Sequence, residues 1–133
     1  MKERFTDEER RALTLYRIEN AHRAIDDSAS LHNLGSYNAA VNRIYYACFY
    51  ALLALFLQED INTKNHSGVK TMFNLHFVSK GRVSKELGYF YTEIFRARGE
   101  GDYDDFVYFE SQEIEQYIAD ARLFIATIEK LIH

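Results

Sequence analysis

The run Asn42-Arg43-Ile44-Tyr45-Tyr46-Ala47-Cys48-Phe49-Tyr50-Ala51-Leu52-Leu53-Ala54-Leu55-Phe56-Leu57 decides the fold. From Ile44 it holds 14 apolar residues in a row, short of the roughly 20 that cross a bilayer. It therefore reads as a buried core helix, with no membrane association expected. At helical spacing, Val41, Ile44, Tyr45, Cys48, Leu52, Leu55 and Phe56 form one stripe, and Tyr46, Phe49, Tyr50, Leu53 and Leu57 complement it on the other side. A helix apolar nearly all round needs neighbours on every side or a second copy of the chain. The second stripe is the face that such neighbours or such a copy would cover. The helix is expected from about Ser36 to Glu59, capped by Ser36 or Gly35, with Asn42 and Arg43 as polar exceptions upstream of the apolar run.

Upstream, Thr6-Asp7-Glu8-Glu9 has the form of a capping box. It predicts a helix from Thr6 to about Asp27 that turns Leu13, Tyr16, Ile18, Ala21, Ala24 and Ile25 inward, with Ser28 to Gly35 as a connection. Downstream, a short helix is expected at about Ser67 to Phe77, with Val69, Met72 and Phe73 inward and Lys80-Gly81 as its stop. A fourth helix runs from about Ser84 to Arg98, ended by Gly99-Glu100-Gly101. The segment from Asp102 to Phe109 reads as an ordered loop pinned by Tyr103, Phe106, Tyr108 and Phe109, and a last helix begins near Ser111. Four long helices, one short one and no convincing strand predict an all-α, antiparallel up-and-down bundle forming one domain over residues 1–133.

Composition agrees. The 133 residues contain no Pro and only six Gly, so few breakers interrupt the helices. A net charge of −4 argues against a broad electrostatic grip on nucleic acid, while leaving room for a local cationic site. The single Cys48 lies inside the apolar run, where a packed small residue is the natural reading. The charged N-terminus lacks a signal-peptide core, so a cytoplasmic location is the default expectation.

Few residues suggest chemistry. The five histidines are widely spaced and show no metal-binding pattern, and Asp102, Asp104 and Asp105 lack the Gly and Glu of a calcium loop. No glycine-rich phosphate motif follows a strand. No metal and no cofactor is expected. What stands out is Asn42 and Arg43 beside the apolar run, and Arg96 and Arg98 near Asp102 and Tyr103. An antiparallel bundle could bring the two places together, with an Arg–Asp pair either as a structural salt bridge or as part of a phosphate-binding or catalytic site.

At these residues the chain resembles the HEPN domain family, in its small stand-alone prokaryotic branch. The resemblance rests on Asn42 to Leu53, then His66-Ser67-Gly68-Val69, Phe77-Val78-Ser79-Lys80-Gly81, Glu86-Leu87-Gly88 and Arg98-Gly99-Glu100-Gly101-Asp102-Tyr103, in that order. It implies a helical bundle that commonly dimerises, with Tyr46, Phe49, Tyr50, Leu53 and Leu57 as the expected dimer interface, and a role beside a minimal nucleotidyltransferase, as a toxin–antitoxin component or a nucleotide-binding subunit. Many members are similar to metal-independent endoribonucleases with an R-x(4–6)-H motif in a late helix. Here that motif is incomplete: after Arg96 and Arg98 no His follows until His133. The Arg17–His22 spacing lies in the first helix and reads as coincidence.

The leading expectation is a dimeric binding or toxin–antitoxin component working with a nucleotidyltransferase, a nucleotide or RNA, at a site drawn from Asn42, Arg43, His66, Arg96, Arg98, Asp102 and Tyr103. One alternative is a ribonuclease using Arg98, with Asp102, Tyr103 or His66 replacing the missing His. The other is a structural dimerisation module.

Overall fold

The computed structural model describes residues 5–103 and 108–133, without the side chains at 100–103. It holds five helices: α1 (Asp7–Asn33), α2 (Tyr37–Glu59), α3 (His66–Phe73), α4 (Lys85–Tyr103) and α5 (Ser111–Lys130). Among the described residues there is no strand. Helix α2 is the hub and packs against each of the other four.

Cross-helix bonds give the directions. Arg10 and Arg17 of α1 reach the carbonyl oxygens of Leu57 and Leu53 late in α2 (2.7 and 3.2 Å), so the earlier residue meets the later carbonyl and the two helices are antiparallel. His22 meets Glu129 and Arg122 meets Asp26, making α1 and α5 antiparallel as well. The up-and-down bundle is therefore present as expected. Its core includes Ile44, Leu52, Leu55, Phe73, Tyr91, Ile94, Phe124 and Ile125. Cys48 is buried among them, and burial pushes its thiol pKa up, away from reactivity. By length and composition α2 could cross a membrane, but 61% of its most apolar window is buried in the bundle, as befits a core helix.

The Thr6–Glu9 capping box forms in both directions (3.0 and 2.9 Å). Helix α1 then passes the expected stop at Asp27 and continues to Asn33. Ser28 is buried and satisfies its hydroxyl on the Ile25 carbonyl (2.6 Å), so it does not break the helix. The true end is Gly35, whose positive φ of 77° permits the paired bonds from Gly35 to His32 and from Ser36 to Leu31. Ser36 precedes α2 but makes no side-chain cap bond. One inward assignment on α1 is corrected. Tyr16 is 56% exposed, and Thr14 occupies the core position, with its hydroxyl on the Arg10 carbonyl.

Asn65 caps α3 by accepting from the Gly68 N–H (2.7 Å), so this helix starts at His66. It widens into a π turn over Asn74–Val78, which keeps Phe77 buried on the same side as Phe73, and closes at Gly81 with φ 73°. The predicted end of α4 is also corrected. Gly99 takes no left-handed conformation, and α4 runs on to Tyr103, because helix-interior glycine costs only about 1 kcal/mol relative to alanine. Arg98 therefore lies inside a helix, and position 102 is one turn beyond it. Of the aromatics expected to pin the following loop, Phe109 packs on the core and Tyr108 is 84% exposed. Residues 104–107, including Asp104, Asp105 and Phe106, and the side chains of Asp102 and Tyr103 lie outside the described residues.

Candidate functional site

Three helices converge on Tyr45. This residue belongs to the buried phase of α2, and its ring is fully enclosed. Tyr91 (5.9 Å between ring centroids) and Phe95 (5.9 Å) of α4 pack on one side, and Phe49 (5.8 Å) lies one turn along α2. The Arg98 guanidinium sits 4.8 Å from the Tyr45 ring centroid and 5.9 Å from that of Tyr46. A planar, weakly hydrated guanidinium is well suited to such a seat over a ring face.

His66, the first residue of α3, approaches from the third side. The capping bond at Asn65 sets the start of α3 and so the place of this ring. Its Nδ1 lies 2.6 Å from the Tyr45 hydroxyl, and the ring stacks on Phe49 at 4.3 Å with 23° between planes. Burial lowers the His66 pKa below its ordinary value, and the nearby Arg98 charge lowers it further, so the imidazole is neutral at neutral pH. Burial also raises the Tyr45 pKa, while Tyr91 and Arg98 pull it back.

Two further cations border the cluster. Arg43 lies 5.9 Å from the Tyr46 ring centroid, the same distance as Arg98, and Lys70 of α3 lies 4.5 Å from that of Phe95. A chain of net negative charge thus carries a compact cationic and aromatic face. On this face the chemistry available is the gripping of an anion, with flat rings beside it.

Of the residues expected from the sequence, Arg43, His66 and Arg98 come together around Tyr45 and Tyr46. Asn42 is one helical turn before both tyrosines. Arg96 stands apart: two residues before Arg98 is about 200° around the helix, and it forms an ion pair with Glu93. Arg17 and His22 diverge, the first to α2 and the second to Glu129 on α5. Among the described residues no group of three His, Cys, Asp or Glu could hold a metal ion. Sequence reasoning did not single out Lys70 or the central place of Tyr45. The available signal was the phase of Tyr45 on α2, which turns it inward beside Arg98 and His66.

The expected dimer stripe is half-buried along its whole length. Tyr46, Phe49, Tyr50, Leu53 and Leu57 are each partly exposed, although they project from the hub helix.

Comparison with known proteins gives a consistent picture. The HEPN domain family matches residues 14–131. A UPF0332 protein of Thermotoga maritima is 41% identical over 93% of this chain and 94% of its own length. Two proteins of Methanocaldococcus jannaschii, each named "putative toxin", are 34% identical over 86% of this chain, covering 78% and 85% of their own lengths.

Proposed function

The chain belongs to the HEPN domain family, and from that premise we propose that it is a toxin-type component whose Arg98–Tyr45–His66 cluster grips a phosphate of RNA or of a nucleotide. The single observation behind this reading is that Arg98 and His66 both meet one buried tyrosine, the first 4.8 Å from its ring centroid and the second 2.6 Å from its hydroxyl. Arg98 supplies positive charge and planar donors, the half-buried rings of Tyr46 and Phe49 offer stacking surfaces for bases, and Arg43 and Lys70 extend the cationic field. The names of the two archaeal relatives support the toxin reading.

The active form in this reading is a homodimer. Its interface is the stripe from Tyr46 to Leu57, which one chain leaves partly bare. Because Tyr46 belongs both to the stripe and to the cluster, such a dimer sets two clusters along one interface. A minimal nucleotidyltransferase is the proposed partner in a two-component system of the cytoplasm.

The test is fluorescence anisotropy with a short labelled single-stranded RNA. Arg98→Gln should weaken binding at least tenfold, while Arg96→Gln, on the other side of the same helix, should leave it unchanged. Equal losses from both would reduce the effect to net charge and sink the assignment.

A second reading, metal-independent RNA cleavage, is favoured by one observation: His66 lies beside Arg98 although it comes from a different helix. If His66 substitutes for the absent motif histidine, wild-type protein cleaves RNA in the presence of chelator and His66→Ala does not.

A further inference from the structure

We propose that Tyr45 is a positioning residue that holds His66 as the Nε2–H tautomer, so that the ring offers the site a hydrogen-bond donor rather than a base. The role rests on the reading of this cluster as a phosphate site, but the tautomer itself can be measured without any ligand.

The first argument is the distance. N–H···O bonds centre near 2.9–3.0 Å, whereas hydroxyl donors make shorter bonds. At 2.6 Å, the contact between the Tyr45 hydroxyl and His66 Nδ1 fits O–H donating to a bare nitrogen. The second argument is a count of protons. Tyr45 and Tyr91 are both buried, and burial raises the pKa of each, so both hydroxyls keep their protons. The Tyr91 hydroxyl is fully enclosed and has no partner in good hydrogen-bond geometry among the described residues, yet it lies near enough to couple to Tyr45. Placing another proton on His66 Nδ1 would direct three donors into one enclosed space. A bare Nδ1 instead gives the Tyr45 proton an acceptor, and leaves the Tyr45 oxygen open to Tyr91.

The ring has little freedom to escape this arrangement. Phe49 fixes its plane by stacking, and Tyr45 is itself held by Tyr91 and Phe95. The charged and titratable groups around it are Tyr45 and Tyr46 from α2, Lys64 from the preceding loop and Arg98 from α4. Of these, Arg98 is the cation that opposes a second proton on the ring. Nε2 is then the nitrogen that carries the proton and remains to meet a ligand. A donor there, beside the Arg98 charge, suits the binding of an anion rather than the abstraction of a proton.

The experiment is a long-range 1H–15N spectrum of the full chain labelled at histidine, followed by anisotropy with the same labelled RNA. In the wild type, His66 Nδ1 should appear as a bare nitrogen and Nε2 as a protonated one. Tyr45→Phe should shift His66 toward a mixture of tautomers, raise its titration midpoint, because the neutral form loses its donor, and weaken RNA binding by roughly 3- to 10-fold. Tyr91→Phe should leave the tautomer unchanged. His66→Gln, which keeps an N–H near the Nε2 position, should bind RNA within about threefold of wild type, whereas His66→Ala should not. A wild-type His66 protonated at Nδ1, or a tautomer indifferent to Tyr45→Phe, overturns the proposal. A wild type with the expected tautomer but no affinity for RNA overturns the phosphate reading instead.

Discussion

Two alanine substitutions in α4 should have opposite signs, and the reason lies in what surrounds each glycine. At Gly99 an added Cβ would meet nothing within 4 Å. Because α4 continues through residue 99, Gly99→Ala gains the propensity difference of about 1 kcal/mol. With an unfolding entropy near 2.1 cal/mol/K per residue, that amounts to a Tm increase of about 3–4 °C for a chain of this size. At Gly88 the same Cβ would stand 2.9 and 3.1 Å from the two γ-methyl carbons of Val78 in the π turn. Valine is β-branched and stiff at χ1, so its methyl groups cannot swing aside, and overpacking of this kind costs about 1–3 kcal/mol. Set against the propensity gain, Gly88→Ala should fall between neutral and about 2 kcal/mol destabilising, a Tm loss of up to about 7 °C. Relieving the crowding with Val78→Ala in the Gly88→Ala background should recover part of the loss, a coupling that a double-mutant cycle in thermal or urea unfolding reads directly. A destabilised Gly99→Ala would show that α4 breaks there, as the glycines suggest, and would remove the continuous helix that carries Arg98.

Other outcomes follow from the same geometry. Tyr45→Ala empties a site enclosed by five aromatic or histidine rings and should cost about 3–5 kcal/mol, a Tm drop of about 11–18 °C, whereas Tyr45→Phe should cost about 1 kcal/mol in the same calorimetric scan. The bidentate Arg82–Glu59 pair (2.9 and 2.8 Å) holds the Glu59 carboxyl below its ordinary pKa of 4.5. A depressed folded-state pKa stabilises above the unfolded value and loses that contribution as pH falls through the folded value. Arg82→Met should therefore lower stability by about 1 kcal/mol near pH 7, and the gap should narrow in melts taken below about pH 4. Leu53→Glu, in the middle of the half-bare stripe, should convert a dimer to a monomer by light scattering; a monomeric wild type would refute the interface.

Much of this was legible because α2 is so strongly patterned. Its all-round apolar half forces it to the centre, and the remaining helices follow as amphipathic neighbours. Helix ends were less legible, since a single residue's preference is small beside packing. Ser28 reads as a break until its hydroxyl finds the Ile25 carbonyl, and Gly99 reads as a stop although its cost is within what the bundle tolerates. At the site, sequence reasoning could name Arg43, His66 and Arg98, because charged residues beside apolar runs are conspicuous. It could not separate Arg96 from Arg98 while α4 was thought to end between them and Tyr103; a continuous helix sends the two guanidiniums to different sides. Nor could it foresee that His66, thirty-two positions before Arg98 in the chain, meets the same tyrosine.

The five histidines provide a direct test of where the chain grips its ligand. His22 faces Glu129, His32 bonds Ser111, and His76 and His133 lie on the side of Glu59, away from the Tyr45 cluster. In an NMR titration of the histidine Hε1 resonances with single-stranded RNA, the cluster account predicts a saturable shift of His66 while the other four remain still. Shifts of His22 or His32 with His66 unmoved would place binding on the opposite face of the bundle and contradict it.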